Sequence, residues 1–215
     1  MNQATRIIAI RHGETAWNVD TRIQGHLDIP LNDTGLWQAR QVGQALADEP
    51  VAAIYSSDLL RAWATAQAVA RATGAPLTPE RRLRERSFGS FQGRTFEQIE
   101  REVPEQALRW RKRDPDFAPD GGGESLTMLR ERIACTVHQI AARHSGQQIV
   151  LVAHGGVMDV LYRLATRLDL QAPRTWQLTN AAINRLLWTG DHGLALVGWA
   201  DTQHLEDSSR DEIHS

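Results

Sequence analysis

The chain has 215 residues, 41% hydrophobic and 23% charged, which fits an ordinary folded domain and excludes a disordered or fibrous protein. A net charge of −2 excludes a broad basic field of the kind that gathers nucleic acid or an anionic membrane, so any phosphate site must be built locally. Cys135 is the only cysteine, which excludes an intramolecular disulfide and argues against a cysteine-based zinc site.

The first residues lack the charged start and long apolar stretch of a secretory signal. No uninterrupted apolar run is long enough for a bilayer, so a soluble cytoplasmic protein is expected. Residues 6–10 are a short apolar, β-branched run ending abruptly at Arg11-His12-Gly13, which reads as a buried strand entering a loop. Leu31-Asn32-Asp33-Thr34-Gly35 offers turn and N-cap chemistry before a predicted helix with Ala39, Val42 and Leu46 on one face. Residues 51–55 are a second apolar run. Ser56-Ser57-Asp58 then reads as the cap of an Ala-rich helix over 59–72, closed by Gly74 and Pro76. This alternation predicts a parallel α/β sheet.

Residues 90–123 break the pattern: polar, proline-containing and ending in three glycines, they predict an inserted helical excursion over part of the sheet edge. Leu126, Leu129, Ile133, Val137 and Ile140 recur at helical spacing, so a long amphipathic helix is expected from near Ser125. A third buried strand over 149–153 ends in His154-Gly155-Gly156 and leads into a helix over 157–168. Runs at 183–188 and 194–199 flank Gly190-Asp191-His192-Gly193 and predict a hairpin or edge strands. With no linker to divide the chain, one domain is expected over 1–205. Residues 206–215 have little to bury and are expected to be a disordered tail.

Two predicted strands end alike, in Arg11-His12-Gly13 and in Ala153-His154-Gly155. Open α/β sheets bind ligands beyond the carboxyl ends of their strands, so both imidazoles are expected to face one crevice. The glycine after each permits unusual backbone angles and close approach of a ligand. His26, His138, His144, His192, His204 and His214 lack that context and are read as surface or satisfied side chains. Arg11 lies beside His12, and Arg61 follows the second strand. An arginine on such a helix is ordinarily a solvated charge, but if its strand is parallel it opens at the same edge. Two guanidiniums and two imidazoles suit a phosphoryl dianion, and neutral imidazole is a competent phosphorus nucleophile. Glu85 is the carboxyl of choice to protonate a leaving alkoxide, although a Glu between two arginines is commonly half of a surface ion pair.

Together these motifs resemble the histidine phosphatase superfamily, also called the phosphoglycerate mutase-like family. The resemblance rests on Arg11-His12-Gly13-Glu14-Thr15 with Trp17-Asn18, Gln24-Gly25, Leu31 through Gly35 with Gln38-Ala39, and Ser56 through Ala62 with Thr65-Ala66. Leu83-Arg84-Glu85, Phe88-Gly89 with Gly93, Gly123-Glu124-Ser125-Leu126 and Val152 through Gly156 complete it, in the family's order, from about residue 6 to about residue 200. It implies three layers, a mostly parallel central sheet flanked by helices, with the 90–123 excursion lid-like over the active-site edge. It also implies a phosphohistidine on His12, with Arg11, Arg61 and His154 binding phosphoryl oxygens and Glu85 as proton donor and later base. Asn18, Gln24, Gly25 and Gly155 contribute to the phosphate pocket. No metal or other cofactor is implied.

The expected activity is metal-independent hydrolysis of small phosphorylated metabolites. Family mutases tend to carry a longer excursion and a Tyr-Gly pair after the Glu; here the pair is Phe88-Gly89 and the excursion is compact. Phosphoglycerate mutase remains the alternative. α-Ribazole phosphatase is another, because residues 110–115 and 121–125 are similar to that group. Arg109, Arg111, Lys112 and Arg113 either meet an anionic substrate or form a solvated helix face. Gln92-Gly93 departs from the Glu-Gly of many family phosphatases and puts the neighbouring hydrogen bonds in question. A metal hydrolase lacks its His-x-His or His-Glu-x-x-His spacing. A non-catalytic phospho-ligand binding protein is disfavoured by the presence of His12, Glu85 and His154. The seven tryptophans are scattered and read as packing or interface residues, and family habit suggests a homodimer.

Overall fold

Along the inner strands, alternate aliphatic residues face opposite sides, and both sides are covered. Ile7, Ala9, Ile149 and Leu151 pack on one face with Leu129, Ile133, Val137, Ile140, Val157 and Leu161. Ile8, Ile10, Val150 and Val152 pack on the other with Val42, Leu46, Ala62, Ala66 and Val69. The period of two along each strand therefore meets the 3.6-residue period of helices above and below. The computed structural model describes residues 3–206.

In chain order the elements are β1 (Thr5–Arg11), α1 (Ala16–Val19), α2 (Asp33–Ala45), β2 (Ala53–Ser56), α3 (Leu60–Thr73), β3 (Leu77–Pro79) and α4 (Phe96–Glu102). α5 (Pro104–Arg111), α6 (Leu126–Ala141), β4 (Gln148–Ala153), α7 (Gly155–Thr166), β5 (Ile183–Thr189), β6 (Gly193–Asp201) and α8 (Gln203–Glu206) follow. The sheet order is β3-β2-β4-β1-β5-β6; the first four strands are mutually parallel and β5 is antiparallel to both neighbours. This is the three-layer, mostly parallel α/β class expected. Asn32 caps α2 by accepting from Gly35 N–H, Ser125 caps α6 by accepting from Met128 N–H, and Gly74 ends α3 in the left-handed region.

Several local expectations are corrected. Ser56-Ser57-Asp58 does not cap α3: the N-cap is Leu59, with no side-chain bond, and the polar trio has other partners. β3 was not legible because it is three residues long and ends in Pro79, tolerable only because it lies at the sheet edge. Helix α7 begins at Gly155 rather than at Val157, with His154 as its N-cap. Residues 90–123 are less polar in effect than in composition: Phe91, Ile99, Ala107 and Phe117 form a buried cluster of their own, with Trp110 and Phe88 against it. Glu206 closes α8, and the rest of the expected tail, including His214, lies outside the described residues.

Candidate active site

β1 and β4 are adjacent and parallel with Arg11 opposite Ala153, so the residues that follow them leave the sheet side by side. His12 N–H continues the ladder by donating to Ala153 O (3.0 Å), and the His12 and His154 ring centroids lie 5.2 Å apart. Both rings are buried. His12 Nδ1 lies 2.7 Å from Gly13 O, and a carbonyl only accepts, so Nδ1 carries the proton. In the neutral ring the lone pair is then on Nε2. Burial, followed by the charges of Arg11 and Arg61, holds His12 well below its ordinary 6.5, so the ring is neutral at physiological pH.

His154 is also held well below 6.5, by burial first and then by Arg61, His12 and Arg11. Its Nε2 lies 2.8 Å from Ser57 Oγ, which itself accepts from Leu59 N–H (3.3 Å). Ser57 Oγ keeps a second lone pair, so the contact fits a neutral His154 with its proton on either Nε2 or Nδ1. That Nδ1 is buried without a partner among the described residues, as are Arg11 Nε and Arg61 Nε. Arg61 Nη1 and Nη2 donate to Leu27 O (2.9 Å) and Gly25 O (2.7 Å), and Arg11 Nη1 donates to Leu178 O. Burial lowers Arg11 and brings Arg61 down to about 10, leaving both cationic at neutral pH. Buried donors with positive charge and no internal acceptor are what a tetrahedral dianion requires.

A cavity of about 140 Å³ joins Arg11, His12, Asn18, Gln24, Gly25, Arg61 and Glu85, with Arg22 and Phe88 completing its wall. Asn18 Oδ1 accepts from Thr15 N–H (3.0 Å) and Asn180 Nδ2 (3.4 Å), so its amide N–H is what it can offer the cavity. Gly25 has φ +52°, and a Cβ there would sit 2.2 Å from Gln92 Oε1, which accepts His26 N–H at 2.7 Å. Gln92 thus latches the 24–26 loop through an acceptor oxygen that a Glu would also supply, which accounts for the departure at that position. Glu85 is held through both oxygens, from Arg86 N–H (2.8 Å) and from Gly156 N–H (3.0 Å) at the start of α7. A Cβ on Gly156 would lie 2.3 Å from Glu85 Oε1. Gly155 lines an adjoining cavity of about 500 Å³ that shares Arg11 and Phe88 with the first.

Three residues at the site were not among the expected site residues. Arg22 lines the small cavity and donates to Gly93 O (3.0 Å). His26, read as incidental, donates from Nε2 to Glu85 O (2.8 Å), and Ser57, read as part of a cap, hydrogen-bonds His154 Nε2 (2.8 Å). The glycines after the histidines also need a different reason. Neither Gly13 nor Gly155 has a positive φ; Gly13 is required because a Cβ would lie 2.5 Å from Gly35 O. The basic run divides. Arg109 pairs with Asp114 and Arg111 with Glu100 on the surface, whereas Arg113 reaches Asp159 and lines the larger cavity. Trp110, read as a packing or interface residue, lines that cavity too. Among the described residues no group of three His, Cys, Asp or Glu side chains is arranged to hold a metal. No described helix is long and apolar enough to cross a membrane.

Comparison with known proteins shows the family. Residues 7–202 match the family described as the histidine phosphatase superfamily (branch 1). Phosphoglycerate mutase-like protein 4 of Arabidopsis thaliana is 38% identical over 205 residues, covering 94% of this chain and 87% of the relative. A metal-independent phosphoserine phosphatase of the same plant is 37% identical over 207 residues, covering 95% and 84%. Among solved structures, a mycobacterial glucosyl-3-phosphoglycerate phosphatase in complex with VO3 superposes with a TM-score of 0.81 at 33% identity, covering 92% of this chain and 99% of that one. The chain belongs to the histidine phosphatase superfamily, branch 1.

Proposed function

We propose that the chain is a metal-independent phosphomonoesterase acting on small phosphorylated metabolites through a phosphohistidine on His12. The observation that carries this reading is the pairing of a neutral, buried His12, with its lone pair on Nε2, and three buried nitrogens, Arg11 Nε, Arg61 Nε and His154 Nδ1, without a partner among the described residues. Nε2 attacks phosphorus in line; the N–P bond forms as the ester P–O bond breaks, and Glu85 gives its proton to the departing oxygen. Water then attacks the phosphohistidine and yields its proton to Glu85. The N–P bond breaks, its electron pair returns to Nε2, and inorganic phosphate leaves.

Arg11, Arg61 and, in its Nδ1–H form, His154 act on the equatorial oxygens, where charge is held throughout the transfer. Fixed by their bonds to backbone carbonyls and to Ser57, they need little reorganisation at the moment of reaction. Asn18 and the backbone of Gln24-Gly25 close the phosphate pocket from the α1 side, and residues 90–123 cover the leaving-group side. Hydrolysis is favoured over mutase chemistry by the compact excursion and the Phe88-Gly89 pair.

The decisive measurement is trapping. Brief incubation with a 32P-labelled monoester and acid-free quenching should give stoichiometric, acid-labile label on His12, and His12→Ala should lose both label and turnover. Near-wild-type activity in that variant would reject the assignment. Following 3-phosphoglycerate by 31P NMR separates the two chemistries: release of inorganic phosphate is expected, and accumulation of the 2-phospho isomer identifies a mutase.

A further inference from the structure

We infer that His26 is a positioning residue: its ring ties the backbone of Glu85 to the loop that shapes the phosphoryl cavity, and so sets where the acid meets the departing oxygen. This rests on the phosphatase reading with Glu85 as proton donor, and deepens it.

Glu85 has no regular element to place it, since residues 85–88 belong to neither helix nor strand. Its carboxylate is held by Gly156 N–H at the start of α7 (3.0 Å) and by its own neighbour, Arg86 N–H (2.8 Å). Its backbone needs a separate tie, and His26 Nε2 supplies it by donating to Glu85 O (2.8 Å). Arg132 Nη2 also approaches that carbonyl, at 3.4 Å. Its shorter bonds go elsewhere, from Nη1 to Arg82 O (2.6 Å) and Arg84 O (3.0 Å) and from Nη2 to Glu124 (2.7 Å). The histidine bond is therefore the strong one at Glu85 O.

His26 is itself fixed on both sides. Arg61 donates to Gly25 O (2.7 Å) and Leu27 O (2.9 Å), the carbonyls of the residues before and after it, and Gln92 Oε1 accepts its N–H (2.7 Å). Arg61, Gly25 and Glu85 all line the cavity of about 140 Å³, whereas His26 lines neither that cavity nor the larger one. The ring thus acts through Glu85 and not on the substrate. One guanidinium at the phosphoryl end fixes the loop, and one imidazole on the loop fixes the acid. A proton passes between heavy atoms about 2.6–3.2 Å apart, so a small shift of Glu85 weakens its delivery. The loss falls on leaving groups that need the proton. A bond that merely held the fold together would not distinguish one leaving group from another.

The test compares kcat/KM of the full chain on p-nitrophenyl phosphate, phenyl phosphate and glycerol 1-phosphate, whose leaving groups need the proton increasingly. His26→Ala should cost about twofold or less on the first and about tenfold on the last, with phenyl phosphate between them. His26→Gln, whose amide nitrogen reaches as far as Nε2, should recover most of the loss. Inhibition by inorganic phosphate should be unchanged in both variants, because the phosphoryl end is not touched. In the Glu85→Gln background, His26→Ala should cost about twofold or less on every ester, since no acid is left to place. One common loss factor on the three esters, phosphate inhibition weakened to match the loss, or a loss on glycerol 1-phosphate that persists in full beside Glu85→Gln overturns the inference. So does full activity of His26→Ala on every ester. If His26→Ala does not fold, His26→Asn, whose amide falls short of Glu85 O, takes its place against His26→Gln. Glu85→Gln slowing all three esters alike removes the acid role, and the inference with it. No turnover of p-nitrophenyl phosphate by wild type brings down the phosphatase reading itself.

Discussion

The strand ends of β1 and β4 and the excursion at 90–123 both border the larger cavity, yet they are held by different means. At the strand ends the backbone ladder does the positioning: Ile10 opposes Val152, Arg11 opposes Ala153, and His12 N–H makes one more ladder bond. The residues behind are fully buried from both sides. The excursion instead has a small aromatic cluster of its own and is tied to the body by scattered bonds. A few run between backbones, such as Gly93 N–H to Ile23 O (2.8 Å) and Thr127 N–H to Pro115 O (3.0 Å), and more run from side chains to backbone carbonyls. Arg86 bonds Phe117 O, Arg113 bonds Leu170 O, Arg22 bonds Gly93 O, and Thr127 Oγ1 bonds Pro115 O. A ladder cannot be retuned without moving the sheet, whereas single side-chain ties can be exchanged one at a time. The reacting phosphoryl group therefore sits against the part that tolerates least change, and the leaving group against the part that tolerates most.

Glu85 lies at the junction, and its replacement is the sharpest test of that division. Glu85→Gln keeps an acceptor for Gly156 N–H but has no proton to deliver. Turnover of alkyl phosphates, whose leaving groups need the proton, should fall roughly 100-fold, and that of p-nitrophenyl phosphate much less. Equal losses on both would mean that Glu85 serves the phosphoryl end alone, and the boundary between the two regions would have to be redrawn. A smaller effect is expected at Trp110, whose ring stacks between Phe88 (5.3 Å) and Phe91 (5.0 Å). Trp110→Ala should raise KM for esters with extended leaving groups about tenfold while lowering kcat less, because the wall is lost and the nucleophile is not touched. A fall in kcat with KM unchanged would show that the excursion takes part in the chemical step.

The same contrast explains what could be read from the sequence. Strand-His-Gly occurs twice, and parallel strands carry whatever follows them to one edge, so the meeting of His12 and His154 was legible from residue order. The amphipathic periods of α2, α3 and α6 and the caps at Asn32 and Ser125 were legible for the same reason: local patterns with local consequences. The rest depends on partners far along the chain. Ser57 bonds His154, 97 positions away, and His26 reaches Glu85 O, 59 positions away. A backbone carbonyl has no residue identity, so no motif records the second contact. Asp159 stands as a lone acid in the helix after His154, and nothing in its neighbours tells that Arg113 will arrive from the excursion. β3 was missed because three residues with a proline offer no period to detect.

The smallest of these effects isolates the strand-end region through stability alone. His12 and His154 are held neutral in the fold, chiefly by burial, with values far below the ordinary 6.5. An unfolded chain protonates both as pH drops through 6.5, while the native state does not, so the unfolded state binds more protons and native stability falls as pH falls. The loss begins near pH 6.5 and continues towards the depressed native values, at up to about 1.4 kcal/mol per pH unit for each histidine. His204, lowered by burial to a lesser degree, adds to the slope, whereas the carboxylates held low by arginine partners, Glu49, Asp58 and Glu80, lose their contribution only at pH values below their ordinary range. Urea unfolding at pH 7.0 and pH 5.5 should show this loss, and His12→Asn, whose amide can still donate to Gly13 O, should reduce its slope by about 1 kcal/mol per pH unit. An unchanged slope would mean that the His12 ring accepts its proton without unfolding, and a ring that charges so readily is not the desolvated nucleophile that the ladder bond to Ala153 holds in place.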